Sequence, residues 1–226
     1  RIAIEKLAAE LSCPHRVFSL DDHTALVDAL QDQRAVLNCA GPFSATARSM
    51  MQGCLATHVH YLDITGEIDV FELAHSVTDK AQRAGIVLCP GVGFDVVPTD
   101  SIAAKLKEAL PDATTLALGF DSKSGVSKGT AKTMLESVAD GCKLRRDGKI
   151  VSVPFGSLTR RIDFGGGERL GIAISWGDVS TAYYTTGIPN IEVFIAGSSR
   201  TLRRQRRLNW LRPFVRRRFV LAMMKR

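Results

Sequence analysis

The spacing of apolar residues along the first half of the chain changes repeatedly from a helical to an extended pattern. Ile4, Leu7 and Leu11 recur at the spacing of one helix face, whereas residues 35–40 form a short and almost wholly apolar run. Such a run is typical of a strand that is buried on both faces of a parallel sheet. The same criteria predict helices over residues 24–30, 44–57, 71–84 and 99–110, and extended segments over residues 15–20, 59–64 and 86–89.

Strands that alternate with helices of this length indicate βαβ units, so residues 1–112 are predicted to form an α/β domain with a doubly wound parallel sheet. After Pro111 the pattern changes. Strands are predicted over residues 114–120, 150–155, 160–164, 170–176 and 191–196, with one helix over residues 130–138. Because short glycine-rich turns join the later strands, residues 113–199 are predicted to form a second, α+β domain with an antiparallel sheet.

The composition is that of a globular protein rather than a disordered one, with 45% hydrophobic and 23% charged residues. The net charge of +7 belongs to one segment. Residues 200–226 contain ten Arg, one Lys and no acid, and the remaining 199 residues carry 19 basic against 23 acidic residues. Five cysteines without a CxxC pair favour a reduced, cytoplasmic setting over a disulfide framework or a zinc site.

Residues 200–226 are predicted to form a basic amphipathic segment that Pro213 interrupts. Its apolar side could pack on the protein body while the arginines reach solvent. It could equally lie on an anionic membrane surface, which would make the protein a peripheral membrane protein. Binding to nucleic acid is the least favoured of the three interpretations. The segment is too charged to span a bilayer.

Three loops that follow predicted strands carry the candidate chemistry. The first, VLNCAGPF at residues 36–43, combines Asn38, which can donate and accept hydrogen bonds, with Gly41, which lets the backbone approach a ligand. Pro42 suits the first turn of the next helix. The alternative is an ordinary strand-to-helix turn that uses Gly-Pro for its shape alone.

The second loop, YLDITGE at residues 61–67, brings Asp63, Thr65 and Glu67 to the same edge of the sheet. A carboxylate there could orient a substrate amine, bind a ribose hydroxyl or move a proton. The alternative is that Asp63 caps a loop and that Glu67 is solvated, which is the favoured interpretation for Glu67. The third loop, GVGFDVVPTD at residues 91–100, is interpreted as a shaped turn at the domain junction.

Other patterns point less directly to a function. His58 and His60 form an HxH pair without a third ligand in view, so no metal site is predicted. The polar loop SKSGVSKG at residues 122–129 precedes a predicted helix and could bind an anion, although a plain loop is favoured. A GxGxxG fingerprint is absent, and we expect the first βαβ unit, which would carry it, to lie upstream of residue 1.

In combination, the three loops resemble the saccharopine dehydrogenase-like NAD(P)-binding oxidoreductases, including relatives of the trans-acting enoyl reductase type. Residues 153–165 and 176–194 look like the second domain of that family. The resemblance implies a Rossmann-type domain interrupted by an α+β domain that forms the substrate cleft, and NADP or NAD as hydride carrier. The positions that it places beside the cofactor are Asn38, Ala40, Gly41, Pro42 and Phe43.

The same resemblance directs Asp63 toward the nicotinamide end, which makes Asp63 the candidate catalytic residue. The sequence thus predicts an NAD(P)-dependent oxidoreductase that acts on a small-molecule or lipid substrate. The second domain, residues 113–199, would serve the substrate or a homodimer. The alternative is a non-catalytic nucleotide-binding or membrane-associated scaffold with a degenerate site.

Overall fold

The structure is a computed structural model that describes residues 2–121 and 140–210. Its first part alternates helices with three short strands, as the apolar pattern predicts. The elements are α1 (Ile2–Leu11), α2 (His23–Leu30), β1 (Ala35–Asn38), α3 (Phe43–Thr57), β2 (His60–Asp63), α4 (Ile68–Ser76), α5 (Thr78–Ala84), β3 (Leu88–Cys89) and α6 (Val97–Ala109). The strands form a parallel sheet in the order β1-β2-β3, which confirms the predicted parallel α/β arrangement.

Two local predictions differ from the structure. Residues 15–20 form no strand, since none of the described strands pairs with them, and Arg16 instead binds Asp32 beyond the end of α2 at 2.6 Å. The helix predicted over residues 71–84 is two helices that meet at Val77. The hydroxyls of Ser76 and Thr78 donate to the carbonyls of Leu73 and His75, and such local bonds compete with the helical ladder.

The second part of the chain builds a larger sheet. Its elements are β4 (Thr115–Phe120), β5 (Cys142–Arg146), β6 (Lys149–Val153), β7 (Thr159–Asp163), β8 (Glu168–Ala173), α7 (Asp178–Thr186), β9 (Asn190–Gly197) and α8 (Ser199–Leu208). The strand order is β6-β5-β9-β8-β7, and β4 pairs in parallel with β9. All the other described pairings in this sheet are antiparallel, as predicted.

Three apolar clusters hold these layers together. One lies between the parallel sheet and helices α2 to α5 and includes Leu26, Met51 and Tyr61. A second lies between the larger sheet and helices α6 and α7 and also takes in Ile68 of α4, so α4 belongs to both parts of the protein. The third covers the opposite face of the larger sheet around Phe194. The loop at residues 122–129 and the helix predicted over residues 130–138 lie outside the described residues.

None of the helices in the described residues is long and apolar enough to cross a membrane.

Candidate functional site

The parallel register brings the ends of the three strands of the first sheet to one edge. Asn38 at the end of β1 lies opposite Asp63 at the end of β2, and Leu62 lies opposite Cys89 at the end of β3. The loops that leave these strands are those that the sequence singles out. Ligands of open α/β sheets bind at the carboxyl ends of the strands, so this edge is the candidate site.

Asp63 is the buried centre of this edge. Its side chain is 0% exposed and accepts hydrogen bonds from the Tyr61 hydroxyl at 2.6 Å, the Thr65 amide at 2.9 Å and the Gly91 amide at 2.8 Å. Burial raises the pKa of Tyr61 above its ordinary value, with a further contribution from the bond to Asp63, so the phenol stays a donor. Asp63 therefore ties the loop after β3 to the end of β2.

Asn38 folds the loop that follows β1. Its Oδ1 accepts from the Ala40 amide at 3.0 Å, and its Nδ2 donates to the Thr46 hydroxyl at 3.1 Å. The Thr46 hydroxyl in turn donates to the Ala40 carbonyl at 2.7 Å. The side chain of Asn38 is thus committed to the shape of the loop, and Thr46 is a partner that the sequence alone did not single out.

Gly41 lies exposed at the turn of this loop, and the Gly41–Pro42 peptide bond is cis. A Cβ atom built on Gly41 would meet only the Phe43 ring, at 3.8 Å. The protein itself therefore does not require a glycine here, and the space above the backbone is open. A glycine in open space at the edge of a sheet is what close approach of a ligand to the backbone needs.

Glu67 closes the N-terminus of α3. Its two carboxylate oxygens accept from the amides of Phe43 at 2.8 Å and of Ser44 at 2.7 Å, and the side chain is half-buried. The interpretation of Glu67 as a solvated residue is therefore wrong. Because a carboxylate already occupies these two amides, the exposed residues 39–41 are the part of this loop that a ligand could approach, rather than the start of α3.

The third loop joins the two parts of the protein. Gly91 has φ +74°, and a Cβ there would lie 2.6 Å from the Phe71 ring, so only glycine fits. The indole of Trp176, in the second part, donates to the Asp95 carbonyl at 2.8 Å. Partial burial raises the pKa of the Asp95 carboxyl. The loop is the shaped turn at the junction that the sequence predicts.

Three apolar side chains stand open to solvent at the same edge. Ile64 is 42% exposed, Val92 is 38% exposed and Phe94 is 88% exposed. Ile64 follows β2 directly, and the other two lie in the loop that follows β3. The part of the edge farther from the Gly41 turn thus presents an apolar surface.

Each histidine of the HxH pair forms a hydrogen bond with the backbone. Nδ1 of His58 lies 2.8 Å from the Ala84 carbonyl, and Nδ1 of His60 accepts from the Val87 amide at 3.0 Å. Within residues 2–121 and 140–210, no three His, Cys, Asp or Glu side chains converge on one point. Cys39 and Cys89 are exposed at the strand ends, while Cys54 and Cys142 are buried.

Comparison with known proteins gives a consistent result. The family model for the saccharopine dehydrogenase NADP binding domain matches residues 2–89, which carry the first two candidate loops. A saccharopine dehydrogenase-like oxidoreductase of Mus musculus is 27% identical over 105 residues, which cover 43% of this chain and 24% of that protein. A probable mitochondrial saccharopine dehydrogenase-like oxidoreductase of Arabidopsis thaliana is 26% identical over 144 residues, 58% of this chain and 32% of that protein.

Among solved structures, the apo saccharopine dehydrogenase (L-Glu forming) of Saccharomyces cerevisiae superposes with a TM-score of 0.57 at 14% identity. The match covers 84% of this chain and 46% of the yeast chain, and it shows a shared fold. The chain thus spans about a quarter to a third of the length of the two curated relatives named above.

Proposed function

We propose that this chain is part of an oxidoreductase of the saccharopine dehydrogenase-like family, and that the carboxyl edge of its parallel sheet binds NADP, or NAD, for hydride transfer to or from a small molecule. Two observations on the same residues together support the proposal. The NADP-binding family model covers residues 2–89, and the open Gly41 loop lies within that range at the edge where such folds bind dinucleotides.

The residues of the first loop have distinct parts in this proposal. The exposed residues Ala40 and Gly41 would lie against the cofactor, and Asn38 would hold their backbone in shape through its bonds to Ala40 and Thr46. Pro42 and Phe43 are half-buried beneath the turn and would complete the surface. The cofactor supplies the hydride chemistry, while the protein supplies orientation and electrostatics.

In this proposal, Asp63 positions the loops around the site. A group that exchanges a proton with a substrate must reach it within hydrogen-bond distance. The carboxylate of Asp63 is 0% exposed and already accepts three hydrogen bonds. We therefore assign to Asp63 the task of fixing the loops after β2 and β3 beside the nicotinamide end. The exposed Ile64, Val92 and Phe94 support a small substrate that presents an apolar group there.

The test is a measurement of NADPH and NADH affinity by calorimetry on the full-length protein. Gly41→Val should weaken binding by about tenfold or more, because the added side chain occupies the space that the cofactor needs. It should leave the unfolding temperature nearly unchanged, since its nearest neighbour is the Phe43 ring at 3.8 Å.

The matched control is Gly166→Val, in the turn between β7 and β8, where a Cβ would meet nothing within 4 Å. This variant should bind as the unaltered protein does. Failure of the unaltered protein to bind either nucleotide at millimolar concentration would refute the proposal. Equal affinities of the two glycine variants would refute the assignment of the Gly41 loop.

A further inference from the structure

Helix α8 carries the highest net positive charge of the described elements. It contains five arginines and no acidic residue in SRTLRRQRRL, residues 199–208. Its first turn is capped by Ser198, whose hydroxyl accepts from the Thr201 amide at 3.2 Å. Five like charges on so short a helix repel one another, so contacts with the rest of the protein must hold it in place.

One side of α8 packs on the turn after β6. Asn209 accepts from the Phe155 amide at 2.8 Å and donates to the Phe155 carbonyl at 3.0 Å. Nε of Arg206 donates to the Gly156 carbonyl at 3.1 Å, and Leu202 packs so closely that a Cβ on Gly156 would lie 2.9 Å from its Cδ1. The apolar side of the helix therefore packs on the protein body. For this side, α8 is the packed structural helix that the sequence offered as one interpretation.

The other side of α8 is exposed and electrically uncompensated. Arg200, Arg203, Arg204 and Arg207 all face solvent, and no acidic side chain of residues 2–121 or 140–210 forms an ion pair with them. Trp210, directly beyond the helix, is 84% exposed and lines a shallow depression with Arg206 and Arg207. The outward side of α8 thus presents four cations next to one exposed indole ring.

We propose that this outward face, made of Arg200, Arg203, Arg204, Arg207 and Trp210, binds the anionic headgroups of a lipid bilayer. The four guanidinium groups complement a negatively charged leaflet, and tryptophan is favoured at the boundary between headgroups and acyl chains. Residues 211–226 add six basic and no acidic residues, interspersed with large apolar ones. An anionic bilayer can bind both the basic and the apolar residues, whereas the phosphate backbone of a nucleic acid binds the basic residues alone.

The structure also specifies the mode of binding. Because Leu202 and Asn209 are engaged with the protein body, α8 does not bury an apolar face in the membrane. The attachment of α8 to the membrane is electrostatic, and Trp210 at the end of the helix provides an apolar contact. It must therefore weaken as salt is added, since surface charges are screened over about 10 Å at 0.1 M salt.

The experiment is co-sedimentation of the full-length protein with vesicles of equal parts phosphatidylserine and phosphatidylcholine, and with vesicles of phosphatidylcholine alone. Binding should require phosphatidylserine and should fall as salt is raised. Changing the four outward arginines of α8 together to glutamine should lower the partition coefficient by roughly fivefold per arginine, because each basic residue near the surface contributes about 1 kcal/mol.

A control variant removes the same charge elsewhere by changing Arg34, Arg48, Arg83 and Arg160 to glutamine. These four arginines are exposed and lie on other elements or loops. This variant should bind at least tenfold more strongly than the α8 variant, with both checked for folding by circular dichroism. The blue shift of tryptophan emission on binding should be lost in Trp210→Phe.

Three results would overturn the proposal. Equal binding of the α8 variant and the control variant would show that this helix is not the contact surface. Equal binding to both kinds of vesicle would exclude recognition of anionic headgroups. Tighter binding to a duplex oligonucleotide than to phosphatidylserine vesicles, at matched phosphate concentration and salt, would assign the surface to nucleic acid instead. The test does not depend on nucleotide binding, so it succeeds or fails separately from the proposed oxidoreductase function.

Discussion

Two aspartates of this protein are fully buried but have opposite surroundings. Asp63 accepts three hydrogen bonds, whereas neither carboxylate oxygen of Asp178 at the start of α7 accepts one from any described residue. Burial raises the pKa of Asp178 to about 7 from an ordinary value of 3.8, with a smaller contribution from the charge of Asp100. The nearby Thr99 side chain lowers the pKa of Asp178, but by less than burial raises it. Asp178 therefore destabilises the folded protein at any pH at which its side chain is ionised.

The sign of the pH effect follows from the raised pKa. The folded protein retains the proton of Asp178 up to about pH 7, whereas the unfolded chain loses it near pH 3.8. The free energy of unfolding should thus fall as pH rises between these values, by up to about 4 kcal/mol, and stay low above pH 7. Asp178→Asn, which is neutral at every pH, should be more stable than the unaltered protein at pH 8, and this gain should disappear near pH 4.

Urea unfolding at a series of pH values measures this difference. Asp112→Asn serves as a control, since Asp112 is exposed in the loop between α6 and β4. It should shift stability little and equally across the pH range. A variant Asp178→Asn whose gain does not depend on pH would contradict the assignment.

The residues of the edge could be predicted only in part. The YLDITGE pattern places Asp63 at a strand end, and a buried position there is predictable from the apolar residues around it. Its partner Gly91 lies 28 residues away, and that contact depends on how β3 aligns with β2. The carboxylate of Glu67 likewise reaches amides 23 and 24 residues earlier, so its capping role had no local signal.

At the scale of elements, α3 depends on a cap from outside its own sequence. The residue at its N-cap position, Pro42, provides no side-chain acceptor. Glu67 supplies both oxygens instead. Replacement of this residue by alanine should leave two amides at the start of α3 without an acceptor and cost about 1–2 kcal/mol.

Chemical denaturation of Glu67→Ala measures that cost. Glu67→Gln should lose less, since the amide oxygen can still accept one bond. Glu10→Ala, at an exposed position of α1, removes a carboxylate without such bonds and is the control. If Glu67→Ala proves no less stable than Glu10→Ala, the cap contributes nothing.

Two elements were missed by the apolar pattern, and both have a physical reason. Strand β5 reads CKLRR, and its charged residues mask the alternation of a strand. Lys143 and Arg145 find acidic partners on α4, more than seventy residues away, which no local pattern reveals. Helix α7, DVSTAYYTT, is rich in β-branched and aromatic residues that favour strands, and its helical form depends on packing against α6 and β9.

At the scale of the whole molecule, one carboxylate joins the two parts. Glu72 of α4 accepts from Arg145 of β5 at 2.8 Å, from the Ser180 hydroxyl of α7 at 2.7 Å and from the Tyr184 hydroxyl at 3.1 Å. The side chain of Arg145 is 4% exposed and also donates to the carbonyls of Val179 and Gly148. The loop with Asp95 and Trp176 is a second point of contact between the same two parts. The orientation of the larger sheet toward the candidate cofactor edge therefore depends on this network.

Removal of Glu72 should thus be far more damaging than removal of its neighbour Asp69. Glu72→Ala leaves the buried guanidinium of Arg145 without a counter-charge, which costs about 3–5 kcal/mol. Asp69→Ala breaks the pair with Lys143, in which the Asp69 side chain is 72% exposed, and should cost at most about 1 kcal/mol. The double variant Glu72→Ala with Arg145→Met should recover part of the loss, because no unpaired buried charge remains. Two results would show that Glu72 does not join the two sheets through this charge pair. One is an equal loss of stability in Glu72→Ala and Asp69→Ala. The other is a double variant whose loss equals the sum of the losses of Glu72→Ala and Arg145→Met.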